Sequence, residues 1–165
     1  MKLQWHIFFI ISLFFWLTQL LLSSYIEIYD TYPQIFLILL TYLSLNLSIS
    51  EAFLSGFFLG IFMDISSCER VGTFCFLLAI ANFIILKIRK DAFTEDPFWA
   101  TLLVFFIVLQ CNFFHACVLF LLNRYEFCLE IILKTFFCAF YSAILSPFIF
   151  LFLDKIFLLK TLKKS

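Results

Sequence analysis

Glycine and proline are scarce in this chain, three of each among 165 residues. That scarcity excludes collagen-like and low-complexity classes. Charge is thin as well: Asp, Glu, Lys and Arg together make up 13% of the residues. The eleven basic residues equal the eleven acidic ones, so no surplus of either sign argues for nucleic acid or for a cationic partner. Only two histidines are present, His6 and His115, and no C-x-x-C pair occurs. The two histidines fall near opposite ends of different apolar runs, which argues against a metal site and leaves no cofactor indicated.

What is there in abundance is apolar surface. Hydrophobic residues make up 65% of the chain and phenylalanine alone contributes 27, with a mean hydropathy of +1.12. No soluble domain of this size has an interior large enough for that load, so the chain reads as a polytopic membrane protein in contact with the lipid bilayer. Cys75, Cys111, Cys117 and Cys138 fall inside apolar runs as small hydrophobes. Cys68 and Cys128 lie in or beside short loops, and spacing leaves a bridge between them open.

Charged residues divide the chain into apolar stretches at 3–26, 31–50, 52–63, 71–86, 98–123 and 135–153. A helix needs about 20 residues to cross ~30 Å of hydrocarbon. The expected architecture is an all-α bundle of six transmembrane helices forming one domain over 1–165, with approximate spans 5–24, 33–49, 52–64, 72–88, 98–122 and 131–153. The third span is short by this rule. Counting it keeps Lys2, Lys87, Arg89, Lys90, Lys155, Lys160, Lys163 and Lys164 on one side. Only Arg70, Arg124 and Lys134 then face the other, which by the positive-inside tendency puts both termini in the cytoplasm. The first run is too long for a signal-peptide core and no A-x-A-like site follows it, so it reads as an uncleaved anchor. Trp5, Tyr25, Tyr29, Tyr32, Trp99 and Tyr125 fall where an interfacial aromatic belt belongs.

All three glycines lie between positions 56 and 72. Gly56 and Gly60 form G-x-x-x-G, which puts both on one helix face and lets another backbone approach closely in lipid. Asp64 continues that face by the same four-residue step, as an interfacial carboxylate or a partner contact. Gly72 opens the fourth span and allows a tight loop.

This run, Gly56-Phe-Phe-Leu-Gly60-Ile-Phe-Met-Asp64-Ile-Ser-Ser67 followed by Gly72 and a helix ending in Lys87-Ile-Arg89-Lys90, resembles the central signature of the MreD family of rod-shape-determining membrane proteins. Pro33 and the apolar run to Tyr42 resemble the family's second span. Cys68 stands where the family often has a second loop glycine, and Tyr32 where a basic residue is common. The resemblance implies a non-enzymatic scaffold of the bacterial cell-elongation machinery in the inner membrane. Its implied partners are a bitopic MreC-like protein and, directly or through it, the actin-like MreB filament and a peptidoglycan synthase and transpeptidase.

Polar residues within the spans are functional candidates by default. They include Asn82, Gln110, Asn112 and His115. Asn112 and His115 share a helix face at i, i+3, whereas Gln110 points elsewhere. Interhelical hydrogen bonding is the plainer role for them, and a ligand or proton path the sharper one.

Two other functions fit a small six-span protein. A substrate-binding subunit of a vitamin transporter is the first alternative. Such subunits tend to carry an alanine-spaced docking face on the first helix, and residues 7–24 contain no alanine. An intramembrane enzyme is the second. Asp64 is the one acid placed for aspartic chemistry, which needs two carboxylates at one site, and no D-D-x-x-D run is present for phosphoryl transfer.

Overall fold

A computed structural model of the chain describes residues 5–25, 31–67, 72–92, 97–121 and 129–161. Cys68, Cys128, Tyr29 and Tyr125, singled out by the sequence, lie outside the described residues. Among the described residues six helices follow one another: α1 (Trp5–Tyr25), α2 (Ile35–Asn46), α3 (Ile49–Ser67), α4 (Thr73–Ala92), α5 (Pro97–Leu121) and α6 (Leu129–Thr161). Windows within three of them, Ile49–Ser66, Phe98–Leu121 and Glu130–Ile156, are long and apolar enough to cross a membrane, and α1 and α2 carry the shorter apolar segments Phe8–Leu21 and Ile35–Asn46.

The third segment is longer than charge spacing implies. Glu51 does not end the apolar run but sits in the first turn of α3, where Ser48 donates a hydrogen bond to its carboxylate at 2.8 Å. The Ser48-x-x-Glu51 spacing is that of a capping box, and a carboxylate is favoured at a helix N-terminus. At 19 residues α3 is about 28 Å long. The short helix is instead α2, whose 12 residues make about 18 Å.

That short helix is the centre of the bundle. It packs against α1, α3, α4, α5 and α6, while the closest helix pairings are α3 with α4 and α5 with α6. Every residue from Ile35 to Ser44 is buried. A helix apolar all round belongs inside a bundle rather than at its lipid face, and the sequence Ile-Phe-Leu-Ile-Leu-Leu meets that requirement on every side. The ends of α2 need partners, because four N–H and four C=O groups at each helix lack intrahelical bonds and cost several kcal/mol each when dry. At its start, Gln19 of α1 accepts from the Phe36 amide at 3.2 Å and Ser142 of α6 from the Gln34 amide at 3.0 Å. At its end, Arg89 of α4 donates to the carbonyls of Ser44 at 3.0 Å and Leu47 at 2.6 Å, a favourable place for a cation.

The other helices sheathe this post and turn large apolar side chains outward, among them Ile10, Phe14, Phe106, Phe140, Phe148 and Leu151. In hydrocarbon such an exterior costs nothing. α6 continues through Pro147, which cannot donate to the Ala143 carbonyl. Ser146 supplies the missing donor with a hydroxyl bond to that carbonyl at 2.8 Å, a usual repair for proline in a membrane helix.

Candidate functional site

The glycine face looks at α4 and α2. A β-carbon on Gly60 would stand 2.6 Å from the Cys75 Cα and 3.1 Å from its amide nitrogen, so α3 and α4 touch there backbone to backbone. A β-carbon on Gly56 would meet the Asn82 amide nitrogen at 2.7 Å and Leu40 at 3.0 Å. Gly56 thus makes room for a side chain, and Gly60 for a main chain.

Asn82 is fully buried and uses that room. It accepts from the Ser44 hydroxyl at 2.7 Å and donates to the Ala52 carbonyl at 2.7 Å, which ties α4 to both α2 and α3. An amide satisfied on both sides in a dry interior fixes the register of the three helices.

Asp64 is 3% exposed, so its carboxylate is turned into the bundle rather than open at its surface. Its carboxylate accepts from the backbone amides of Gly72 at 2.9 Å, Phe74 at 2.9 Å and Cys75 at 3.2 Å. These are amides of the first turn of α4, left without intrahelical partners, and a carboxylate is the strongest side-chain acceptor for them. The cap comes from the preceding antiparallel helix, so it also closes the α3–α4 hairpin. Gly72 enters α4 with φ +104°, a left-handed conformation that a β-carbon resists. Among the described residues no atom beyond its chain neighbours lies within 4 Å of where that carbon would be, and the backbone conformation itself favours glycine here.

The polar residues of α5 sit at the same end of the bundle. Gln34 donates to Asn112 at 2.6 Å, and His115 stacks on Phe74 with ring centroids 4.7 Å apart at 31°. Asn112 and His115 line one cavity of about 220 Å³ together with Gln34 and Lys134. A second cavity of about 220 Å³ shares Tyr32, Gln34 and His115 with the first and is completed by Gln19, Trp16 and Ser66. Trp16 donates to Ser66, joining α1 to α3. Gln110 is half-buried and lines neither cavity. Among the described residues no group of three or more His, Cys, Asp or Glu could hold a metal ion.

A second polar pairing lies at the opposite end, where Tyr42 of α2 donates to Asp154 of α6 at 2.6 Å. Sequence reasoning passed over Gln19, Gln34 and Ser142, and it gave Tyr42 and Arg89 no contact within the bundle. Gln19 and Gln34 stand out as amides in apolar runs, but nothing local tells that they face each other across a helix end.

The hairpin built on Gly56, Gly60, Asp64 and Gly72 holds the run that resembles the MreD signature, and the comparison extends well beyond it. The family model for the rod shape-determining protein MreD matches residues 1–156. The chain belongs to the MreD family. Comparisons with curated proteins and with solved structures give no match. Membership makes this a non-enzymatic, multi-pass membrane protein of the rod-shape system, and in this chain Gly60, Asp64 and Gly72 serve the α3–α4 hairpin.

Proposed function

We infer that this protein is a scaffold of the cell-elongation machinery in the bacterial inner membrane, holding a bitopic MreC-like protein and, through it, the MreB filament and enzymes of peptidoglycan synthesis. The family match over residues 1–156 carries this reading. The fold supports it: buried polar groups at both ends of α2 go to tying helices together, and the outward apolar faces of α1, α5 and α6 leave room for partner helices.

In this reading the chain crosses the membrane six times, α2 together with the residues that flank it, and both termini are cytoplasmic. Support comes from the alternation of direction, since Gly60 meets Cys75 while Gly56 meets Asn82, and from basic residues at one end. Lys87, Arg89 and Lys155 lie toward the end that holds Tyr42 and Asp154, and Lys134 toward the end that holds Asp64. That distribution follows the positive-inside tendency.

Photocrosslinking from the outward faces of α1, α5 and α6 in native membranes tests the scaffold. The expected product is a bitopic MreC-like protein, captured from one face and not from the others. Crosslinks to lipid alone from all three faces, in cells that keep their shape by this protein, would remove the reading.

The transporter alternative draws on one observation, the polar-lined cavities between helices. Saturable vitamin binding by the purified protein, with no shape defect on its loss, would favour it.

A further inference from the structure

Gln110 is the polar residue of α5 that the bundle does not use. Asn112 and His115 are engaged by Gln34 and Phe74, whereas no hydrogen bond from any described residue reaches the Gln110 amide. α5 is long and apolar enough to cross a membrane, and Gln110 stands near the middle of its 25 residues, about 16–20 Å from either end. No headgroup is within its reach. The side chain is half-buried and lines neither cavity, so its amide meets hydrocarbon, where an unpaired carbonyl and NH₂ are costly. The face that carries it is periodic. Trp99, Phe106, Phe113 and Phe120 recur every seven residues and are all exposed, and half-buried Leu103, Gln110 and Cys117 fall between them at alternating steps of four and three. Such a repeat is the seam of a left-handed helix pair. It is turned away from α6: Phe105, which meets Phe136 of α6 with ring centroids 5.7 Å apart, lies about 140° round the helix from Gln110. Apolar periodicity alone would carry little, because lipid covers such a face as well as protein does. The amide decides.

We propose that α5 pairs with α5 of a second copy of this chain, the two Gln110 amides exchanging hydrogen bonds at the centre of the seam. Copies inserted in one orientation are related by a two-fold axis along the membrane normal, which sets their α5 helices parallel and each Gln110 level with the other. An amide is donor and acceptor at once, so the NH₂ of each Gln110 donates to the carbonyl of the other and both are satisfied. A different partner helix would need an amide or hydroxyl at that depth. A second copy has one by symmetry. A single polar residue in an apolar seam also fixes register, because any slip leaves both amides unpaired. The pairing goes beyond the scaffold reading: it leaves the outward faces of α1 and α6 open to other partners, and the purified protein alone tests it.

The test is energy transfer between donor- and acceptor-labelled full-length protein reconstituted together in liposomes and diluted by adding lipid. The parent should show transfer above random proximity that falls along a dimer dissociation curve, and Gln110→Leu should weaken association about tenfold, as expected for loss of two interhelical hydrogen bonds. Phe106→Ala, on the seam, should weaken it too. Phe140→Ala, on the outside of α6, should not. Thermal unfolding of Gln110→Leu in detergent should match the parent, because the amide has no partner within its own chain to lose. In the same liposomes a photocrosslinking residue at position 106 should join two copies, and one at position 140 should not. Transfer no greater than random proximity at every protein density would overturn the pairing, as would Gln110→Leu protein that associates like the parent. Poor folding of Gln110→Leu would overturn it as well, by showing that the amide serves its own chain.

Discussion

Gly60 and Cys75 are so close that the Cys75 Cα occupies the space a β-carbon on Gly60 would need, 2.6 Å away. Gly60→Ala must therefore push α3 and α4 apart, and Gly60→Leu more so. Overpacking of this kind typically costs about 1–3 kcal/mol. Thermal unfolding of the purified protein in detergent should show the loss, and Phe57→Ala on the exposed side of the same helix should be nearly silent. Equal stability of Gly60→Leu and the parent would show that the two helices do not touch there.

Gly56→Ala is expected to act differently. The obstruction is the Asn82 amide, a side chain held by Ser44 and the Ala52 carbonyl. Displacing it leaves buried polar groups without partners, at about 1–3 kcal/mol. The pair Gly56→Ala and Asn82→Ala should then be markedly non-additive in a double-mutant cycle, since the second change removes what the first collides with. Additive losses would separate the two residues.

Asp64→Asn tests the hairpin cap. Were this aspartate a surface marker, the amide would substitute for it with little effect. Buried against three N–H donors, Asn can present one acceptor and turns an NH₂ group toward donors. A loss of about 1–3 kcal/mol and faster amide exchange in the first turn of α4 are expected. Silence in both measurements would leave Asp64 a surface marker.

Arg89 is expected to be worth more than its exposure suggests. Arg89→Gln removes the cation that holds the Ser44 and Leu47 carbonyls, and hydrogen bonds to charged groups contribute about 1.5–3 kcal/mol. Amide exchange near the end of α2 should quicken while the start of α2, tied by Gln19 and Ser142, keeps its protection. Uniform quickening along α2 would mean that Arg89 supports the whole bundle instead.

Orientation is checked by reporter fusions. A reporter active only after export should stay inactive when joined after Lys90 and become active when inserted between Ser67 and Gly72. The reverse pattern would place the basic end outside.

Composition and hydropathy carry the all-α membrane class, because 65% hydrophobic residues with so few breakers admit little else, and the run from Gly56 to Lys90 carries the family. Charge spacing is a poorer guide to helix ends. It cut α3 at Glu51, since a lone acid in an apolar run looks like a boundary unless the Ser48 hydroxyl three residues earlier is read with it. The central place of α2 was not legible either. Its neighbours in sequence are as apolar as it is, and only the packing tells which helix gives up its lipid contacts. The same holds for the caps on α2: Gln19, Arg89 and Ser142 are 17, 45 and 108 residues from the groups they satisfy, distances over which a local pattern says nothing.

Those separations also set an order on synthesis. Two of the groups that complete α2 leave the ribosome after α2 itself: Arg89 is near the end of the α3–α4 hairpin, and Ser142 is in the last helix. Until then the 12-residue helix, too short to span the bilayer alone, has only Gln19 of the earlier α1 for its start and water or lipid headgroups for its end. Its place in the membrane is thus decided late, by helices inserted after it, and a nascent chain halted before α6 would hold α2 with the Gln34 amide still lacking its Ser142 acceptor.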